Sequence, residues 1–330
     1  MNPVGEQPTA EEYRDFGEHQ ARGSSECFSR WALAVADDPE VLSRLETLPP
    51  AKRQPNLVFA AARWHGVPPG PYDGLRRALL HDWEPIRATI LSRATQTNEV
   101  GRCATLLPVL AGLPGPLALL EVGASAGLCL YPDRYSYRFT GEADLVLDPV
   151  GGPSSVVLEC EVHGDPPLPA ALPEVVWRAG LDLNPLDVAD DDAMRWLETL
   201  VWPEHEDRRR RLAAAVHLAR EDPPRLVRGD VNEDLPGLAA EAPDEATLVI
   251  FHSAVTAYLS DTDRERFVAM VRDLPGHWVA NEGPRAVPGV AGTAHSEPPP
   301  GPAPFVLALD GRAVAWAEGH GRALWWHGAG

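Results

Sequence analysis

The chain divides, by its patterning, into an all-helical N-terminal domain over residues 1–116 and an α/β domain over residues 117–330. The second is expected to carry a doubly wound, mostly parallel sheet closing on an antiparallel hairpin. Three observations lead there. Up to Pro116 apolar residues recur at helical spacing with no convincing strand; from Leu117 apolar strands alternate with helices; and Asp310-Gly311 sits between two apolar runs. Repeated strand–helix units imply a parallel sheet covered on both faces.

In the first part, Glu11–Ala36 places Phe16, Phe28, Trp31, Leu33 and Val35 at helical spacing. Shorter helices are expected at Pro39–Leu48, Asn56–Trp64, Tyr72–Leu80, Trp83–Arg93 and Glu99–Leu110, punctuated by Pro49-Pro50, Pro68–Pro71 and Gly112–Pro116. In the second part the strands are Leu117–Val122, Glu174–Leu181, Arg225–Gly229, Thr247–Phe251 and His277–Asn281. Between them the pattern predicts helices at Ser125–Tyr131, Asp190–Glu221 (broken at Pro203), Asp234–Ala240 and Asp261–Leu274. Phe305–Leu309 and Ala313–Ala317 flank Asp310-Gly311, a strong hairpin signal. Pro132–Pro173, with short strands at Tyr135–Phe139 and Val156–Val162, reads as a β-rich insertion. Pro284–Pro304 is a Pro/Gly-rich loop long enough for a lid.

Composition narrows the partners. A formal charge of −19, with Lys52 the sole lysine, argues against nucleic acid, whose binding relies on clustered cations. The basic cluster Arg208–Arg211 lies beside Glu204, Glu206 and Asp207 and reads as a solvated helix face. No apolar run approaches the ~20 residues that span a bilayer. Met1–Glu6 lacks the basic flank and apolar stretch of a secretory signal. Cys27, Cys103, Cys129 and Cys160 form no C-x-x-C pair, which suits reduced thiols in a cytoplasmic protein without a metal. A small molecule is the expected partner.

The most informative segment is Leu117-Ala-Leu-Leu-Glu-Val-Gly-Ala-Ser-Ala-Gly127. Read as an acidic residue before G-x-x-x-G, it is a strand entering a nucleotide-binding turn. Read as Gly123-x-Ser125-x-Gly127, it is a nucleophile elbow presenting Ser125 for acyl transfer. Both need an apolar strand before the turn and a helix after it. Ligands of open α/β sheets bind outside the carboxyl ends of the strands. Here those ends read Glu121–Gly127, Gly180–Pro185, Arg228–Asn232, Phe251–Ser253 and Asn281–Gly283.

That series resembles the Rossmann-like S-adenosylmethionine-dependent methyltransferases. The resemblance implies that S-adenosylmethionine lies against Glu121, Gly123, Ala124, Ser125, Gly127, Asp182, Leu183, Asn184, Asp230, Val231, Phe251 and His252. By position Asp182 holds the ribose hydroxyls, Asp230 faces the adenine amine and Glu121 orients the turn. About sixty residues separate Glu121 from Asp182 where the superfamily has some twenty, and the Pro132–Pro173 insertion accounts for the excess. His252 and then Glu282 are the candidate bases for methyl transfer to oxygen or nitrogen of a small molecule. Asn98, Glu99, Arg102, Tyr258 and Trp202 are candidate substrate contacts, with the helical domain as substrate or lid domain. Thr97 and Asn98 also suit a helix cap.

The whole chain also resembles an actinobacterial family known as domain of unknown function 2332. This rests on Gln96–Arg102, Gly123–Leu128, Asp133-Arg-Tyr135, Gly180–Pro185, Val201-Trp-Pro-Glu204 and Phe251-His-Ser-Ala254. Three alternatives stay open. One is a serine acyl hydrolase in which Ser125, an Asp and His252 follow the chain order of an α/β-hydrolase triad. Another uses the sulfonium for cyclisation or aminocarboxypropyl transfer. The third is a fold that binds a nucleotide without catalysis.

Overall fold

A computed structural model describes residues 8–142, 144–300 and 304–328. Its compact units are Met1–Thr97 with Asp191–Arg210, and Asn98–Asp190 with Arg211–Gly330. Residues 98–116 therefore group with the sheet and not with the helices before them.

The first unit is built from α1 (Thr9–Asp15), α2 (Glu26–Ala36), α3 (Pro39–Leu45), α4 (Pro55–Trp64), α5 (Tyr72–His81) and α6 (Trp83–Ser92). After α7 (Arg102–Ala111), which belongs to the second unit, α8 (Asp191–Leu200) returns to it. The single helix expected over Glu11–Ala36 is three pieces. A π-helical stretch, Phe16–Ala21, follows α1, and the chain then turns through Gly23 at φ 76° before Ser25 caps α2 by accepting from Phe28 N. The core is aromatic: Phe59 meets Tyr13, Phe16, Phe28 and Trp31, each ring pair edge-on. The break at Pro203 separates α8 from α9 (Glu206–Glu221), and the boundary between the units falls within α9.

The second unit carries one sheet of eleven strands. In chain order these are β1 (Leu117–Val122), β2 (Ser136–Gly141), β3 (Leu145–Leu147), β4 (Val157–His163), β5 (Val175–Asp182) and β6 (Arg225–Arg228), then β7 (Thr247–Ser253), β8 (His277–Glu282), β9 (Phe305–Leu309), β10 (Arg312–Ala317) and β11 (Ala323–Trp326). Their spatial order is β3-β2-β4-β11-β10-β9-β8-β7-β1-β5-β6. The run β6-β5-β1-β7-β8 is all parallel. Numbered along the chain it reads 3-2-1-4-5, the doubly wound order, and its direction reverses between β1 and β7. All six residues of β1 are buried, as a strand flanked on both edges and covered on both faces requires.

The hairpin forms at Asp310 (φ 49°) and Gly311 (φ 79°), both left-handed as a two-residue turn demands. It does not finish the sheet. Beyond it β11 pairs antiparallel with β10 and parallel with β4, so the insertion strands continue the same sheet. Both β3 and β11 escape a reading of periodicity because they are three and four residues long.

One face of the parallel strands packs on α10 (Val231–Ala239) and α11 (Asp261–Asp273). Leu120, Val122, Leu181, Ile250 and Ala280 meet Leu235, Leu238, Phe267 and Val271 there. Each such large apolar side chain contributes about 1.5–3 kcal/mol by leaving water. Asp230 and Ser260 cap these helices, accepting from Asn232 N and Asp263 N. A short helix, α12 (Pro288–Ala291), interrupts the expected Pro284–Pro304 loop, of which 301–303 lie outside the described residues. The reading of Met1–Glu6 lies outside them too. Among the described residues no helix is long and apolar enough to cross a membrane.

Candidate functional site

The order reversal between β1 and β7 puts the crevice of a doubly wound sheet at the carboxyl ends of those strands. The glycine turn, Gly123–Gly127, stands there. Gly123 (φ 70°), Ser125 (φ 50°) and Gly127 (φ 69°) are all left-handed. That alternation cannot propagate an α-helix, so the helix expected over Ser125–Tyr131 is a single 3₁₀ turn, Leu128–Leu130. The helix N-terminus that both motif readings need is absent from this position.

Two side chains hold the turn. Asp182, the last residue of β5, accepts from Ser125 N through Oδ2 at 2.8 Å and from Asn184 N through Oδ1 at 2.7 Å. Asn98 accepts from Ala126 N at 3.1 Å and donates to Ser125 Oγ at 2.7 Å. Asn98 is therefore not the cap of α7, whose preceding residue is Gly101. The glycines answer to internal packing as well. A Cβ at Gly123 would lie 2.3 Å from a γ-methyl of Val255, and one at Gly127 would lie 2.8 Å from Pro224. Their lack of side chain is no sign of a ligand.

Glu121 and Phe251 are register partners, both buried. Glu121 faces away from the α10–α11 core, since side chains alternate along a strand. Its Oε2 is buried without a hydrogen-bond partner. Burial, then the Cys129 thiol and Asp182, push its carboxyl well above the usual range, against the pull of Arg102. The remaining expected cofactor contacts spread over neighbouring strand ends. Ala124 is buried with its Cβ where a Gly180 side chain would point, and Leu183 and Asn184 are exposed beyond Asp182. Gly229 N donates to Asp182 O at 3.0 Å, placing Asp230 and Val231 at the next strand end. Asp230 is occupied by capping α10.

The structure brings His252 and Glu282 together. His252 is fully buried, and Trp278 Nε1 donates to its Nε2 at 2.9 Å. Indole N–H only donates, so Nε2 must accept, and the ring proton sits on Nδ1, 2.6 Å from Glu282 Oε1. No lone pair of the imidazole is left for a substrate proton. Glu282 Oε1 also accepts from Val255 N at 2.8 Å and Thr256 N at 3.2 Å. Burial raises the Glu282 carboxyl, but the His252 proton and these two amides outweigh it and hold the group below its ordinary value. The pair latches the loop after β7, where Ala254 is left-handed at φ 60° and Val255 packs over Gly123.

The expected substrate contacts divide. Glu99 is buried and accepts from Gly101 N at 3.1 Å and Arg211 Nη2 at 3.3 Å. Arg102 is buried and donates to Ser253 O and Gly319 O. Tyr258 is 85% exposed on the loop after β7. Trp202 lies in the helical unit, donating to Asn56 Oδ1 and packing on Phe16 and Phe28. Residues that sequence reasoning passed over are Val255 and Trp278; neither has a local signal, because each acts on a residue from another strand.

The family described as "Uncharacterized protein conserved in bacteria (DUF2332)" matches residues 10–68 and 64–326, nearly the whole chain. The chain belongs to the DUF2332 family. No curated protein and no solved structure gave a match. For this DUF2332 protein the α/β fold is read from the structure, and the family description names no activity. Among the described residues no three His, Cys, Asp or Glu side chains group so as to hold a metal, and the four cysteines are free and buried.

Proposed function

We propose that the DUF2332 protein binds S-adenosylmethionine at the β1/β7 crevice and transfers its methyl group to oxygen or nitrogen of a small molecule. The observation that carries this is Asp182. Its carboxylate ends the strand next to β1 and is tied to the glycine turn through Ser125 N. A carboxylate offers about four acceptor positions, and Ser125 N and Asn184 N take two. The remainder suits the two hydroxyl donors of a ribose. Glu121 adds a buried acceptor oxygen without a donor at the neighbouring strand end. Bound S-adenosylmethionine supplies an electrophilic methyl on a sulfonium.

In this scheme the chain positions and desolvates, and the proton displaced from the acceptor's oxygen or nitrogen leaves to solvent rather than through His252. Asp182 and Asn98 keep the turn in one geometry, and the Glu282 latch keeps Val255 against it. Displacement at a methyl group depends mainly on alignment, so such pre-organisation is where most of the rate would arise. An acyl-hydrolase scheme keeps one supporting feature, the left-handed Ser125. Its hydroxyl, however, is engaged by Asn98, and His252 is engaged by Trp278 and Glu282.

Calorimetric titration with S-adenosylmethionine and S-adenosylhomocysteine tests the proposal. Binding by wild type is expected, weakened by about 1.5–3 kcal/mol in Asp182→Ala. Indifference of wild type to both ligands up to millimolar concentration refutes it. Separating S-adenosylhomocysteine from methylthioadenosine among the products distinguishes methyl transfer from cyclisation or aminocarboxypropyl transfer.

A further inference from the structure

Arg102 is a buried charge that makes no ion pair within 4.0 Å among the described residues. Only 7% of it is exposed. Its Nε donates to Gly319 O at 3.0 Å, its Nη1 donates to Ser253 O at 3.1 Å, and its guanidinium carbon lies 5.6 Å from the centre of the Phe305 ring. Those partners are two neutral carbonyls and a ring. No carboxylate among the described residues comes within 4.0 Å of it. Glu121 lies within electrostatic reach of it, and the Oε2 of that carboxyl is buried without a hydrogen-bond partner. A buried cation without a partner is among the costliest groups a fold can keep.

Its position adds to the case. Ser253 ends β7, and the residue before it, His252, is in register with Val122, the last residue of β1. The guanidinium therefore stands at the carboxyl end of β7, at the point where the sheet order reverses. We propose that Arg102 forms the subsite for a ligand carboxylate at this crevice, with its guanidinium as the counter-charge. Guanidinium matches carboxylate geometry, and the pairing is strong where water is excluded. The carboxylate belongs either to the amino-acid arm of the cofactor proposed above or to the methyl acceptor. Only the first source rests on that proposal.

Affinities of wild type, Arg102→Gln and Arg102→Lys are measured for S-adenosylhomocysteine and for 5′-methylthioadenosine, which lacks the carboxylate. Stabilisation against heat by succinate is followed in the same three proteins. A cofactor carboxylate at Arg102 predicts a loss of about 10- to 100-fold for S-adenosylhomocysteine in Arg102→Gln. Methylthioadenosine should then change by less than about 3-fold, the level of noise for a contact that is not made. An acceptor carboxylate predicts equal small changes for both nucleosides and succinate stabilisation that Arg102→Gln abolishes. Arg102→Lys keeps the charge without the planar fork and should retain part of either effect, which also covers a Gln variant that fails to fold. If wild type binds neither nucleoside, the cofactor proposal falls while the succinate comparison still decides the subsite. Equal losses for both nucleosides, with no succinate effect that depends on Arg102, overturn the inference and leave Arg102 as a tie between β7 and the turn at Gly319.

Discussion

Replacing Glu121 with Gln isolates the cost of a buried carboxyl in β1. The side chain keeps its shape and loses its ability to ionise. In the unfolded chain this carboxyl titrates near its ordinary value of about 4.3, whereas in the folded protein burial raises it well above the usual range. For a group raised on folding, the contribution is fully present below the unfolded value and is lost as pH rises towards the folded one. Between the two, the folded protein holds one more proton than the unfolded chain. Wild type must then lose about 1.4 kcal/mol of stability per pH unit relative to Glu121→Gln. Each pH unit of that slope is readable as a shift of the denaturant midpoint. The assay is urea unfolding of both proteins from pH 4 to pH 8, read as the difference in stability. The orphaned position of Oε2 means the Gln amide also lacks a partner, but that penalty does not vary with pH. The expected curve bends upward through the unfolded value, rises in favour of Gln, and levels off where the folded acid itself ionises. A difference that stays flat from pH 4 to pH 8 would refute the reasoning, because it would mean that Glu121 is not held protonated by the fold.

Glu282 should behave with the opposite sign: its folded value is depressed, so its stabilisation is present above the ordinary carboxyl range and lost as pH falls through the folded value. Glu282→Gln is expected to lower stability at pH 7 by about 1–3 kcal/mol, through weaker bonds from His252, Val255 and Thr256, with the deficit shrinking in acid. Asn98→Ala removes the partners of Ala126 N and Ser125 Oγ and should cost about 1–3 kcal/mol in thermal or denaturant unfolding; a loss below ~0.5 kcal/mol would show that the turn holds itself. Ser125→Ala should leave any activity within about tenfold, and a fluorophosphonate should not label the protein, whereas stoichiometric labelling at Ser125 would restore the hydrolase scheme. Gly123→Ala is expected to destabilise severely, since its Cβ meets Val255 at a left-handed φ of 70°, and Val255→Ala in the same chain should recover only the packing part of that loss.

Much of the fold was legible from local pattern. The strands at Leu117–Val122, Thr247–Ser253 and His277–Glu282 are built on the apolar runs 117–120, 248–251 and 278–280, and a central parallel strand needs such a run because both of its faces are covered. The hairpin was legible because Asp310-Gly311 suits the left-handed turn without tertiary help. The start of β11 was not legible, since Ala323–Trp326 becomes a strand by pairing with β10 and β4. The helix expected after the glycine turn is missing for a reason that the local sequence hides: left-handed Ser125 is tied to Asp182, 57 residues onward, and to Asn98, 27 residues back.

The site divides along the same line. Sequence alone determined that acidic residues stand at the ends of successive strands and that a glycine turn follows the first, because both are properties of short segments. Only the tertiary structure decided what those residues do. It set the Trp278 indole against Nε2 of His252, and it bound Glu282 to the loop after β7. It buried Arg102 against two carbonyls while leaving Glu121 without a partner. The physical reason is that proton position and charge state depend on which donors, acceptors and solvent surround a group, and in a parallel sheet those neighbours arrive from strands that lie far apart in the chain.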